Sequence, residues 1–103
     1  MKLETAAKCL AELGNINRLS IFRYLVKVGP DGTPVGEIQK FLDIPASTLS
    51  HHLSRMINVG LVTQDRESRT LYCKPQLDLL NEVVEFLKSE CCTIKLGVTK
   101  CDE

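Results

Sequence analysis

Residues 33–60 hold two short helical patterns joined by only Asp43-Ile44. Thr33 reads as the cap of the first pattern and Pro34 as its first position, where a missing N–H costs nothing. Val35, Ile38, Phe41 and Leu42 recur at helical spacing and are expected to face a core. Pro45 falls in the first turn of the second pattern, which ends at Gly60. Two short helices on so tight a connection form a helix-turn-helix unit. After Gly60 the period changes, and residues 61–65 and 70–74 read as two strands rich in Val, Thr, Leu and Tyr. Arg66-Glu67-Ser68-Arg69 is the hairpin between them.

The flanks read as helices. Leu3, Ala6, Ala7, Leu10 and Leu13 share a face, and Gly14 stops that run. Asn15 or Asn17 caps a second helix with Leu19, Phe22, Leu25 and Val26 inward, and Gly29-Pro30 ends it. A last helix begins near Pro75 or Gln76. Its apolar stripe (Leu77, Leu80, Val83, Val84 and Leu87, with Leu79 and Phe86 at the edges) is wide enough for a dimer partner as well as a core. With 103 residues there is room for one core. The expected fold is mainly α with a small β-hairpin, a winged helix-turn-helix over residues 1–92, followed by a cysteine-bearing tail at 93–103.

Composition excludes some classes. No apolar run approaches the roughly 18 residues of a membrane span, and the N-terminal segment lacks the apolar stretch of a signal peptide. The expected location is the cytoplasm, with no membrane partner. The five cysteines are odd in number and unevenly spaced, unlike a secreted disulfide framework. No Cys-x-x-Cys motif or alternating strand–helix order supports an enzyme. The net charge is zero, but its distribution is uneven. Residues 44–75 carry four basic groups against two acidic, and residues 76–103 carry three against six. A mildly basic middle is compatible with DNA.

The helix over residues 45–59 presents two distinct faces. Leu53, Met56 and Ile57 fall within about 80° of Leu49. Ser47, His51, Ser54 and Asn58 lie within about 40° of the opposite side. That polar face carries short donors and acceptors, an imidazole, and Arg55 at its edge. Such groups reach base edges and phosphates from within a major groove. His51 points outward; His52 lies about 60° from Leu49 and reads as a packed or boundary residue.

At this point the chain resembles the ArsR/SmtB family of metal-responsive repressors. The resemblance lies in Asn17-Arg18-Leu19-Ser20-Ile21-Phe22, in Ser47-Thr48-Leu49-Ser50-His51-His52-Leu53, in Gly60-Leu61-Val62, and in Arg66-Glu67-Ser68-Arg69 followed by Tyr72. It covers about residues 5–90. It implies a homodimer built from the first and last helices, set on double-stranded operator DNA with recognition helices in successive major grooves. Ser47, Ser50 and His51 become base or phosphate contacts, Arg66 and Arg69 become wing contacts, and Thr48 and Arg55 are further candidates. Ser68 stands where the family usually has Gly, which puts the turn geometry of the wing in question.

The family that the chain resembles places effector sites in several locations, and the resemblance implies an inducer site at one of them. A Cys-x-Cys pair near the start of the third helix is absent, since Pro34-Val35-Gly36-Glu37 stands there; residues 76–90 hold no histidine for a zinc-type site. Cys91, Cys92 and Cys101 remain, with eight residues between the pair and the third thiol. Eight residues extend to about 28 Å, so Cys101 can fold back or reach a second subunit. Three thiols without histidine suit a soft three-coordinate ion, As(III) or Sb(III), with no organic cofactor. The resemblance implies the same, because some such repressors use a C-terminal Cys-Cys…Cys set. The rivals are a redox or reactive-sulfur sensor and, in another class, a cytosolic thiol metal-binding protein without DNA binding. Cys9 could join the site, and Cys73 reads as a buried small apolar residue.

Overall fold

Leu3–Leu13 forms α1, which Gly14 closes with a backbone bond to Ala11. The computed structural model describes residues 1–96 of the chain. Asn15 is the cap of α2 (Ile16–Val28): its side chain accepts from the backbone N–H groups of Asn17 and Arg18, two of the donors a helix start leaves unpaired. Gly29 ends α2 at φ 107°, a conformation that disfavours side chains.

Thr33–Pro34 is a two-residue strand, β1, and not the opening of a helix. Thr33 pairs with Cys73 and Pro34 with Tyr72, so the cap expected at Thr33 gives way to a sheet contact from 40 residues away. Pro34 instead precedes α3 (Val35–Leu42) as its extended N-cap. Asp43 then turns left-handed at φ 54°, Ile44 and Pro45 follow, and α4 (Ala46–Asn58) begins. The helix-turn-helix is therefore present, with Pro45 just outside the helix that sequence placed it in. The end of α4 is a Schellman motif. The Gly60 N–H bonds the Ile57 carbonyl and the Leu61 N–H bonds that of Met56, each at 3.0 Å, with Gly60 at φ 87°.

The wing is β2 (Val62–Glu67) and β3 (Thr70–Pro75), antiparallel, with Gln64 opposite Cys73 and Glu67 opposite Thr70. With β1 on the other edge of β3, the expected hairpin is a three-stranded sheet in the order β1-β3-β2. Ser68 adopts φ 60° as the first central residue of the turn, the position a type II′ turn reserves for glycine. A serine there raises the cost of the turn without changing its path. Gly32, ahead of β1, has φ 81°, and a Cβ there would lie 2.5 Å from the Cys73 carbonyl oxygen.

The core gathers Cys9 from α1, Ile21, Phe22 and Leu25 from α2, Ile38 from α3, Leu49, Leu53 and Met56 from α4, Leu61, Val62 and Cys73 from the wing, and Val83 from α5 (Leu77–Lys88). Burying each larger apolar side chain contributes about 1.5–3 kcal/mol, so the inner stripe of α4 is a substantial anchor. Two expectations about facing fail. Phe41 is 58% exposed and stacks on Tyr24, with ring centroids 4.5 Å apart, because α3 lies at the rim of the core. Leu19 and Val26 are exposed while Ile21 is fully buried, so the inner face of α2 is rotated from the one the spacing suggested. On α5 only Val83 is buried outright, and Val84 and Leu87 face outward.

Candidate nucleic-acid interface

The tight turn before α4 and the Schellman motif after it fix how this helix meets the core. With Leu49, Leu53 and Met56 inward, Ser47, Ser50, His51, Ser54 and Asn58 are exposed, and Thr48 is half-buried. The wing tip carries Arg66 and Arg69, both exposed. Further along the hairpin Asp65 accepts from Lys74 at 2.8 Å, a pair that raises the Lys74 pKa and uses up one of the wing's two acidic groups. The result is one polar helix face with short hydrogen-bonding side chains, followed in the chain by a hairpin with a cationic tip.

His52 is 8% exposed, as its position on the helix predicted. Its Nδ1 lies 3.3 Å from Nη1 of Arg18. A guanidinium only donates, so Nδ1 accepts and the ring proton sits on Nε2. Burial, and then the Arg18 charge, lower the pKa of His52 from its ordinary 6.5. A folded-state value below the unfolded one means that the unfolded chain binds the proton first. His52 costs no stability above pH 6.5, and stability falls as pH drops from there through the depressed value. We expect the melting temperature to fall below pH 6.5 more steeply in the wild type than in a His52→Gln variant. Parallel melting curves against pH would refute this.

Arg55 does not point freely into solvent. Its Nε donates to Oε1 of Glu12 at 2.8 Å and its Nη2 to Oε2 at 3.1 Å. Arg18 joins the group from α2: its Nε donates to the Glu12 carbonyl oxygen at 2.7 Å and lies 3.2 Å from Oε1. The Arg55 hydrogen bond in particular holds the Glu12 carboxyl below the usual range. Sequence reading missed Glu12. The available signal was an acidic side chain in the last turn of a helix with no basic residue there, an unfavourable place that calls for a cationic partner.

The cysteines divide into two groups. Cys9 is buried, with Sγ 3.9 Å from the Val59 carbonyl, and burial pushes its thiol pKa up. Cys73 is buried, as expected, and accepts from Gln64 Nε2 at 3.4 Å; burial raises its pKa too. Cys91 and Cys92 are exposed beyond the end of α5, where Glu90 and Cys92 turn through φ 59° and 63°. Their sulfurs stand 3.3 Å apart. Cys101 lies outside the described residues, and among those no cluster of three or more His, Cys, Asp or Glu could hold a metal ion. Nor, among them, is any helix long and apolar enough to cross a membrane.

Comparison with known proteins agrees with this geometry. A helix-turn-helix domain family matches residues 13–65. The HTH-type transcriptional regulator YgaV of Escherichia coli K12 is 30% identical over 89 residues, 86% of this chain and 88% of YgaV. An ArsR-like transcriptional regulator from Rhodococcus sp. RHA1 shares the fold, with a TM-score of 0.73 at 20% identity over 82% of this chain and 77% of that one. A homodimeric winged helix-turn-helix DNA-binding domain from Mycobacterium bovis, described as a possible ArsR-family regulator, aligns over 86% of this chain and 87% of its own at 27% identity and a TM-score of 0.65. The chain belongs to this helix-turn-helix family, and it shares the fold of ArsR-like transcriptional regulators. In this helix-turn-helix protein, α4 takes the place of the recognition helix and β2–β3 that of the wing.

Proposed function

We propose that this regulator is a cytoplasmic repressor that binds operator DNA as a homodimer and is released by As(III) or Sb(III) at Cys91, Cys92 and Cys101. The observation that carries the DNA half is the exposed face of α4, opposite its buried stripe. Ser47, Thr48, Ser50 and His51 read the operator, and Arg66 and Arg69 hold its backbone or minor groove; the fork of Arg55 is engaged by Glu12. The dimer half draws on Leu3 and Leu10 of α1 and Val84 and Leu87 of α5, apolar side chains left facing outward, and on the homodimeric relative. The inducer half draws on two exposed sulfurs 3.3 Å apart, close enough to share one soft ion, which would hold the end of the last helix in one arrangement.

Fluorescence anisotropy with duplexes recovered by the wild-type protein from a random library tests the DNA reading. Binding should weaken steeply with salt. His51→Ala should weaken it by about 1–3 kcal/mol if His51 reads a base, and Arg66→Ala should lower the salt slope by about 1 if it meets a phosphate. Unchanged affinity in both variants would remove α4 and the wing from the contact set. The same sulfur separation favours a second reading, a redox switch in which the two thiols give up two protons and two electrons to a thiol oxidant and close a disulfide. Release by diamide but not by arsenite would select it.

A further inference from the structure

We propose that Glu12 is a positioning residue for DNA recognition, a clamp that makes the end of α1 and the recognition helix move as one body. The inference rests on α4 being the helix that reads DNA. Glu12 sits in the last turn of α1, where the partial negative charge of the helix end disfavours a carboxylate. Its side chain is nevertheless only 12% exposed. Both carboxylate oxygens are engaged by the Arg55 guanidinium, and a two-point pair of this kind fixes orientation as well as distance. Arg18 completes the arrangement by holding the Glu12 carbonyl with Nε and His52 with Nη1. Two side chains of α4, one turn apart, are thus tied to the same end of α1.

A free Arg55 could meet a DNA phosphate, and Glu12 would then compete with the operator. The geometry points to positioning because the carboxylate that grips Arg55 is also the one Arg18 faces from α2, so releasing Arg55 would leave Glu12 largely enclosed with one fewer cation. It also gives α1 a second task. This helix leaves Leu3 and Leu10 exposed, on the surface assigned above to the partner subunit. Any change in how two α1 helices meet is handed to α4 through Glu12, and so alters the spacing and tilt of the paired recognition helices.

The experiment uses the full chain and the selected duplex, with Glu12→Gln, Arg55→Gln, Arg55→Lys and the double variant Glu12→Gln/Arg55→Gln. Each is followed by anisotropy at several salt concentrations and by thermal melting. A clamp predicts that both glutamine variants and Arg55→Lys lose affinity about tenfold, that the double variant is no worse than either single one, and that the salt slope holds. Melting curves report folded protein at the assay temperature in every variant. Three outcomes would overturn the proposal: Glu12→Gln binding as well as or better than wild type, Arg55→Gln lowering the salt slope by about 1 while Arg55→Lys restores it, or affinity losses that simply add in the double variant. Failure of the α4 reading is a separate result, since there Ser47→Ala and His51→Ala leave affinity unchanged whatever Glu12 does.

Discussion

Cys91→Ser and Cys92→Ser variants are expected to stay on operator DNA at arsenite concentrations that release the wild-type protein. Losing either sulfur leaves the ion one strong donor and at best Cys101, and serine hydroxyl is a poor ligand for a soft ion. Allosteric coupling between two such sites is typically about 1–3 kcal/mol, or roughly 5–150-fold in affinity. The variants should lose nearly all of that factor while keeping the affinity of the inducer-free protein, because both side chains are exposed and take no part in the core. Reciprocity supplies the check: operator duplex must weaken arsenite binding by the same factor that arsenite weakens operator binding. Titration of reduced protein with arsenite, with and without duplex, measures both. Arsenite release that persists in Cys91→Ser would take the ion away from this thiol pair.

Gly32→Ala is expected to be among the most damaging single substitutions outside the apolar core. Its φ of 81° is strained for any side chain, and the added methyl would lie 2.5 Å from the Cys73 carbonyl oxygen and 2.6 Å from Cγ of Lys74. The lysine can swing aside, but the carbonyl belongs to the central strand of the sheet, so β1 must lift off β3. Strain and displacement together cost on the order of 2–4 kcal/mol, a large share of the roughly 5–15 kcal/mol that stabilises a domain. Gly29→Ala serves as the comparison. Its φ of 107° and ψ of −177° lie in a region essentially reserved for glycine, but nothing lies within 4 Å of the added carbon, so backbone strain of about 1–3 kcal/mol applies without a clash. Urea midpoints measure both, and equal midpoints for the two variants would refute the close-approach argument.

What could be read from sequence follows the range of the interactions. The face of α4 was legible because Leu49, Leu53 and Met56 recur at the helical period, and the same angles separated exposed His51 from buried His52. The positive φ at Ser68 was foreseeable only through the resemblance, where glycine usually stands; the turn itself is two residues, shorter than the four-residue hairpin read from the sequence. Thr33-Pro34 was misread because its local chemistry imitates a helix start, while the strand that claims it lies 40 residues on. Phe41 follows the inward spacing of its helix, yet α3 lies where little covers it but Tyr24. The ties of Arg55 were hidden for the first reason again: Glu12 is 43 positions away. The thiol pair is local and could be read, whereas Cys101 lies outside the described residues.

The sheet has one further consequence, for association in a crowded cell. An open strand edge invites neighbouring chains to add on and polymerise. Here one edge is β1, two residues long and half proline, and the other is β2, whose outer half reads Asp65-Arg66-Glu67. Shortness, a missing N–H and alternating charge each frustrate a docking strand. Among the described residues, both edges of the sheet are therefore poor starting points for fibre-like growth.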